Sequence, residues 1–286
     1  MRVAIQGEPG AFSDAAARQL LGEAVELVCC AENREVTRQL AAGGVHAAVL
    51  PIENSLTGSV FATYDAILAE PAIVAVGQTV LPIRHCVLGI PGATLGDLRT
   101  VESHPVALAQ CRAFLETHPH LVAHATHDTA GSARLVRAAG DRSRAAIASA
   151  HAARVYDLAV LAAGVEDRPD NRTRFLLLRS TRDAPGAAPA APGGAPPGAP
   201  AQTMLVYTTA NVPGALLRTL EPLAERGMNM VRIESRPAGE PWTYQFIVEF
   251  EHTADPSAVQ AVIAAIAPHT RGVRHVGTFA PATAAG

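Results

Sequence analysis

Asn171-Arg172-Thr173-Arg174-Phe175-Leu176-Leu177-Leu178 sets a dense polar cluster directly against an apolar triplet, which Arg179 and Ser180 close. A triplet that short reads as a buried strand. The cluster before it then lies at a strand end, where open α/β sheets form their ligand crevices. Strand alternation sends Thr173 and Phe175 to one side and Arg172 and Arg174 to the other, and the twist of a strand end leaves both sides within reach of a cleft.

Working outward, residues 1–181 alternate short apolar runs with helical patterns, the signature of a mostly parallel α/β sheet. Strands are expected at 2–6, 25–29, 47–51, 73–80, 86–90, 99–103, 121–125, 145–148 and 174–178. Helices are expected at 14–21, 34–42, 60–68, 106–116, 129–139 and 151–156, with Ser13 and Asp128 as N-caps. Strand count and length imply two α/β lobes, about 1–80 with 163–181 and 81–162, around a cleft. Between Ala184 and Ala201 the composition collapses to Ala, Pro and Gly, with no charge. Such a stretch cannot bury a core, so 182–202 is expected to be a linker. Residues 203–280 then read as βαββαβ, the ferredoxin-like arrangement, with Pro213 opening the first helix and Gly227 just past its end.

Bulk properties exclude several classes. A chain of 286 residues holds about two domains. Its formal net charge of -3 lacks the basic excess of a nucleic-acid-binding surface. Met1 leads straight into a strand pattern without an export signal, and no apolar run is long enough to cross a bilayer, so a soluble, cytoplasmic protein without membrane contact is expected. Four cysteines, Cys29, Cys30, Cys86 and Cys111, have neither C-x-x-C spacing nor a secretory context and are expected to be reduced. All 23 basic side chains are arginine. The absence of lysine removes Schiff-base chemistry, pyridoxal phosphate anchoring and a P-loop lysine together. His118, His120, His124 and His127 lack metal-ligand spacing, and no metal is expected.

Three polar groups fall at element ends. Glu53, Asn54 and Ser55 follow the apolar run 47–50; they make either an ordinary polar turn or a donor set at a strand terminus. Ser103 and His104 precede a helix opened by Pro105, either as a plain cap or as an anion site made with free amides, with Gln110 two turns further in. Gly7 to Ser13 forms a glycine-rich strand-to-helix turn without dinucleotide spacing.

In these motifs, and in their order, the chain resembles the prephenate dehydratase family over nearly its whole length: Gly7 to Ser13, Pro51 to Ser55 with Gly58 and Val60, Ser103 to Cys111, and Asn171 to Phe175. After the linker, Asn211 to Leu216 and Glu234 to Pro237 resemble the phenylalanine-binding elements of that family's ACT domain. The resemblance implies a two-lobed, periplasmic-binding-protein-like catalytic domain and a cofactor-free conversion of prephenate to phenylpyruvate. Catalytic roles fall on Thr173, Asn54, Ser103 and Gln110, with Thr173 as donor to the leaving hydroxide. Substrate contacts fall on Ser13, Glu53, Ser55, His104, Arg174 and Phe175, Arg174 either meeting a substrate carboxylate or bracing its strand. L-Phenylalanine is the implied effector, held by Asn211, Pro213, Gly214, Ala215, Leu216, Glu234, Ser235, Arg236 and Pro237 between paired chains, so a homo-oligomer, dimer or tetramer, is implied. The family usually carries Gln at Val106 and valine at Leu217, departures that bear on a cleft-edge contact and on effector affinity. Two rival readings are arogenate dehydratase and a non-catalytic amino-acid-binding sensor, which the fold alone permits.

Overall fold

The computed structural model describes residues 1–182 and 195–282. The chain begins β1 (Arg2–Gln6), α1 (Phe12–Leu21), β2 (Glu26–Cys30), α2 (Asn33–Ala41), β3 (Ala47–Asn54), β4 (Gly58–Ser59), α3 (Phe61–Ala69) and β5 (Ile73–Pro82). It continues β6 (Cys86–Gly89), β7 (Thr100–Ser103), α4 (Pro105–Ala109), α5 (Arg112–Thr117), β8 (Val122–Ala125), α6 (Thr129–Ala139), β9 (Arg144–Ala148), α7 (Ala150–Val155), β10 (Ala159–Ala163) and β11 (Arg172–Ser180). The C-terminal elements are β12 (Pro200–Thr209), α8 (Ala215–Glu225), β13 (Asn229–Pro237), β14 (Tyr244–Thr253), α9 (Pro256–Ile266) and β15 (Thr270–Phe279).

Two compact units form, one from Met1–Pro71 with Thr79–Leu177, the other from Ala72–Gln78 with Leu178–Ala282. The first unit has the expected two-lobed α/β build. One sheet runs β2-β1-β3-β11-β5, with β4 on β3; the other runs β10-β6-β9-β7-β8. Val3, Ala4, Ile5, Ala47, Ala48, Val49 and Leu50 are wholly buried, as central strands covered on both faces demand. Leu176, Leu177 and Leu178 are buried in the same way.

β11 starts earlier than its apolar triplet suggests, at Arg172. Neighbours on both sides supply main-chain partners: Ser55 donates to the Arg172 carbonyl at 2.8 Å, and Ile83 donates to the Asn171 carbonyl at 2.8 Å. The polar cluster is therefore part of the strand. β10 escapes the sequence reading because it is an edge strand whose Ala-rich sequence is only partly buried. Ser13 is not an N-cap: α1 is capped by Ala11, and no side chain caps it. The single helix expected at 106–116 is two. Gln110 is the C-cap of α4, its carbonyl accepts from the Asp167 amide, and the Asp167 carboxylate takes the Arg112 and Ala113 amides that open α5. A break with both ends capped costs little.

In the second unit, β13-β14-β12-β15 form an antiparallel sheet, with α8 and α9 completing the ferredoxin-like order. Helix α8 begins after Gly214, whose φ of +75° stands at the N-cap, so Pro213 lies outside it. β12 already runs from Pro200, inside the expected linker; residues 183–194 of that linker lie outside the described residues. The start of β5 belongs to this unit: Gln78 donates to Gln202 at 2.8 Å, and Arg274 donates to the Ile73 carbonyl at 2.8 Å. Among the described residues, no helix is long and apolar enough to cross a membrane.

Candidate active site

A cavity of about 330 Å³ opens in the first unit, lined by the starts of α1 and α6, the end of β3, the start of β11, and α4 with its C-cap. Thr173 and Phe175 face it and Arg172 and Arg174 do not, as strand alternation requires. Asn54, at the end of β3, presents its amide nitrogen to Thr173 Oγ1 at 3.0 Å and to Asn171 Oδ1 at 2.7 Å. Asn54 Oδ1 accepts from the main-chain amides of Leu56 and Thr57, both at 3.0 Å. Asn171 Nδ2 in turn donates to Gln110 Oε1 at 3.2 Å, and His85 Nε2 lies 3.2 Å from that same oxygen. Asn54, Gln110 and Thr173, drawn from two strands of one sheet and a helix end, thus meet in one hydrogen-bonded chain.

The other expected residues divide. Ser13 and His104 line the cavity. Ser103 does not: it is wholly buried, and its hydroxyl donates to the Ile147 carbonyl at 2.6 Å, tying β7 to β9. The anion site expected at the α4 start is also altered, because Pro105 has no amide hydrogen and Val106 N donates to the His104 ring at 3.3 Å. Glu53 lies off the cavity and meets Arg174 Nε at 3.2 Å. Ser55 exchanges hydrogen bonds with the Arg172 main chain.

Several lining residues were not foreseen: His85, Thr57, Asp128 and Thr129. For Asn171 the sequence implies a position but no role. For His85 a signal existed, since Ile83-Arg84-His85 falls where the chain crosses between sheets. His85 is buried, and burial pushes its imidazole below the usual range, against the pull of the Gln110 bond and the Glu166 charge; it is neutral.

The Gly7–Ser13 turn docks on α7. Gly10 has φ +87°, and a Cβ there would lie 2.8 Å from the Ala152 Cα, so only glycine fits. Ser149 Oγ donates to the Gly10 carbonyl and Gly10 N to Asp14 Oδ2, each at 2.8 Å. Asp14 is fully buried between His151 at 2.8 Å and Arg18 at 2.7 Å. Burial raises its carboxyl, but the His151 bond, the Gly10 amide and the nearby Arg18 charge outweigh it and hold it below the usual range. The uncapped amides of α1 are thereby fixed at the cavity wall.

Residues 3–183 match the family model described as prephenate dehydratase, and residues 203–268 match the ACT domain. Arogenate dehydratase/prephenate dehydratase 2 of Arabidopsis thaliana is 35% identical over 289 residues, covering 98% of this chain and 72% of that protein. The prephenate dehydratase of Arthrobacter aurescens in complex with L-Phe is 32% identical, with a TM-score of 0.86, over 99% of this chain and 90% of that one. GqqA, described as a novel type of quorum quenching acylase, is 34% identical with a TM-score of 0.84, over 99% and 98%. With both segments matched in order and the Asn54–Thr173 pair seated at the cavity, this chain belongs to the prephenate dehydratase family and carries a C-terminal ACT domain.

Proposed function

We infer that this protein is a hydro-lyase of L-phenylalanine biosynthesis that converts prephenate to phenylpyruvate, carbon dioxide and water without a cofactor. The observation that carries this reading is the polarity of one hydrogen bond: Asn54 donates to Thr173 Oγ1, so the threonine proton is left to donate into the cavity. In the reaction the bond to the ring carboxylate breaks, its electron pair enters the ring, and the C–O bond to the para hydroxyl breaks as that group takes a proton and leaves as water. Aromaticity drives the reaction. A neutral hydroxyl is too weak an acid to protonate the substrate's hydroxyl before its C–O bond breaks, so Thr173 acts as a donor placed for the transition state, beside the amide of Gln110.

Among the described residues, no arginine lines the cavity. The substrate carboxylates are met by the N-terminal end of α1 and the hydroxyls of Ser13 and Thr129. That soft anion site suits a carboxylate whose charge must disperse as carbon dioxide forms, since tight ground-state binding there would slow the step. Among the described residues no histidine or carboxylate hydrogen-bonds to Thr173, so an acylase-type activated nucleophile is not favoured.

Residues 1–181 form the catalytic segment on this reading and 203–280 the regulatory domain, with the spacer between them ending where β12 begins at Pro200. Phenylalanine binds near Asn211 to Leu217 and Glu234 to Pro237 between two chains. Support comes from exposed apolar side chains on the same elements, Val212 before α8, Leu217 on it, and Val231 and Ile233 on the edge strand β13, which a second copy covers. The four free cysteines suit a cytoplasmic setting. Incubating the purified protein with prephenate and measuring phenylpyruvate tests the reading. A higher kcat/KM for arogenate, giving phenylalanine, reassigns the substrate; no product from either substrate defeats the assignment.

A further inference from the structure

We propose that His85 is a positioning residue: as the tautomer protonated on Nε2, it holds Gln110 with its amide nitrogen toward the cavity and closes a one-way hydrogen-bond chain that leaves Thr173 a donor. The consequence for turnover rests on the reading above. The orientation itself follows from geometry.

The chain starts at two donors that cannot turn round. Leu56 N–H and Thr57 N–H both point at one side-chain atom of Asn54, which must therefore be its oxygen. Its nitrogen then faces Asn171 at 2.7 Å, and Asn171 must answer with its oxygen. Asn171 consequently turns its nitrogen to Gln110, which must answer with Oε1. That oxygen is shared with His85 Nε2 at 3.2 Å, and two lone pairs cannot face each other, so Nε2 carries the hydrogen. Side-chain amide orientations are ordinarily ambiguous. Here main-chain amides settle each in turn, and reversing any one sets donor against donor.

The two ends of the chain are the useful part. Gln110 Nε2 and the Thr173 hydroxyl hydrogen have no protein acceptor among the described residues, and both side chains line the cavity. At the far end His85 is 2% exposed, and its Nδ1 is buried without a partner. A proton there would be a donor with nothing to meet, whereas a bare nitrogen lacks only an acceptor's bond. Phe12 stands edge-on to the ring at 5.8 Å and limits its rotation.

Two measurements on the full-length protein test the proposal. Long-range 1H–15N correlation near neutral pH, with the His85 signals identified by their loss in His85→Phe, should find Nε2 protonated and Nδ1 bare; the opposite tautomer or an imidazolium overturns it. This readout is independent of substrate identity. In a double-mutant cycle, His85→Phe and Gln110→Ala should each lower kcat by about tenfold or more, and the double variant should be no worse than the poorer single within about threefold. Losses that multiply would mean His85 only fills space, and that also overturns the role.

Discussion

Asn54 and Thr173 stand 119 positions apart in the chain and meet at 3.0 Å, the amide nitrogen donating to the hydroxyl oxygen. The direction of that bond matters more than its existence. A threonine that receives a hydrogen bond has its own proton to give.

Thr173→Ala should leave a folded protein whose kcat on prephenate is lower by about two to four orders of magnitude, the cost of a lost transition-state donor. Thr173→Ser keeps the hydroxyl and should stay within about tenfold of wild type. Steady-state kinetics with a thermal melt on each variant checks both, and an Ala variant with wild-type turnover removes Thr173 from the mechanism.

Arg174 lies off the cavity and pairs with Glu53 at 3.2 Å, the latter partly open to solvent. Arg174→Met should therefore cost about 1 kcal/mol of stability after solvent screening, with KM for prephenate unchanged within about threefold. A KM raised by tenfold or more would instead put the guanidinium on the substrate.

Acid should undo the Asp14 cluster. The folded carboxyl is held below its usual range, so its contribution is fully present above the unfolded value of about 3.9 and is lost as pH falls through the folded value. Asp14→Asn should cost about 2–4 kcal/mol near neutral pH, and this difference should shrink in denaturant titrations carried below about pH 4. A gap independent of pH would contradict the ion-pair account.

Gly10→Ala should destabilise by about 2–4 kcal/mol, because it combines a positive φ with a Cβ driven into the Ala152 backbone. Urea unfolding reads this directly. A variant as stable as wild type would mean that the turn does not dock closely on α7.

Gly214 stands at the start of α8 with φ +75°. Gly214→Ala puts a Cβ 3.2 Å from the Arg218 guanidinium in a left-handed turn, and the loop shift this forces should weaken phenylalanine binding by roughly fivefold, about 1 kcal/mol. Isothermal titration with phenylalanine measures it, and unchanged affinity would move the effector site elsewhere.

Much of the fold was legible because it rests on local patterns. Apolar runs such as Ala47 to Leu50 and the punctuation of Asp128 and Gly227 are set by burial and backbone preference, which neighbours in sequence encode. Misreadings occurred where distant partners intervened. Asp167 splits the helix expected at 106–116 by capping its second half, and Ser55 with Ile83 draws the polar cluster at Asn171 into the strand. Ser103 looked like a cleft donor until the Ile147 carbonyl took its hydroxyl.

By itself the sequence determined most of the order of elements, the two α/β lobes, the βαββαβ domain, the lysine-free chemistry and the placing of Thr173 and Phe175 on one strand face. Only the tertiary structure decided which way each amide points, that Arg174 turns to Glu53, and that His85 completes the chain behind Gln110. The reason is physical: periodicity governs which face a side chain takes, while the polarity of a hydrogen bond depends on which donor stands opposite, and folding brings those donors from far along the chain.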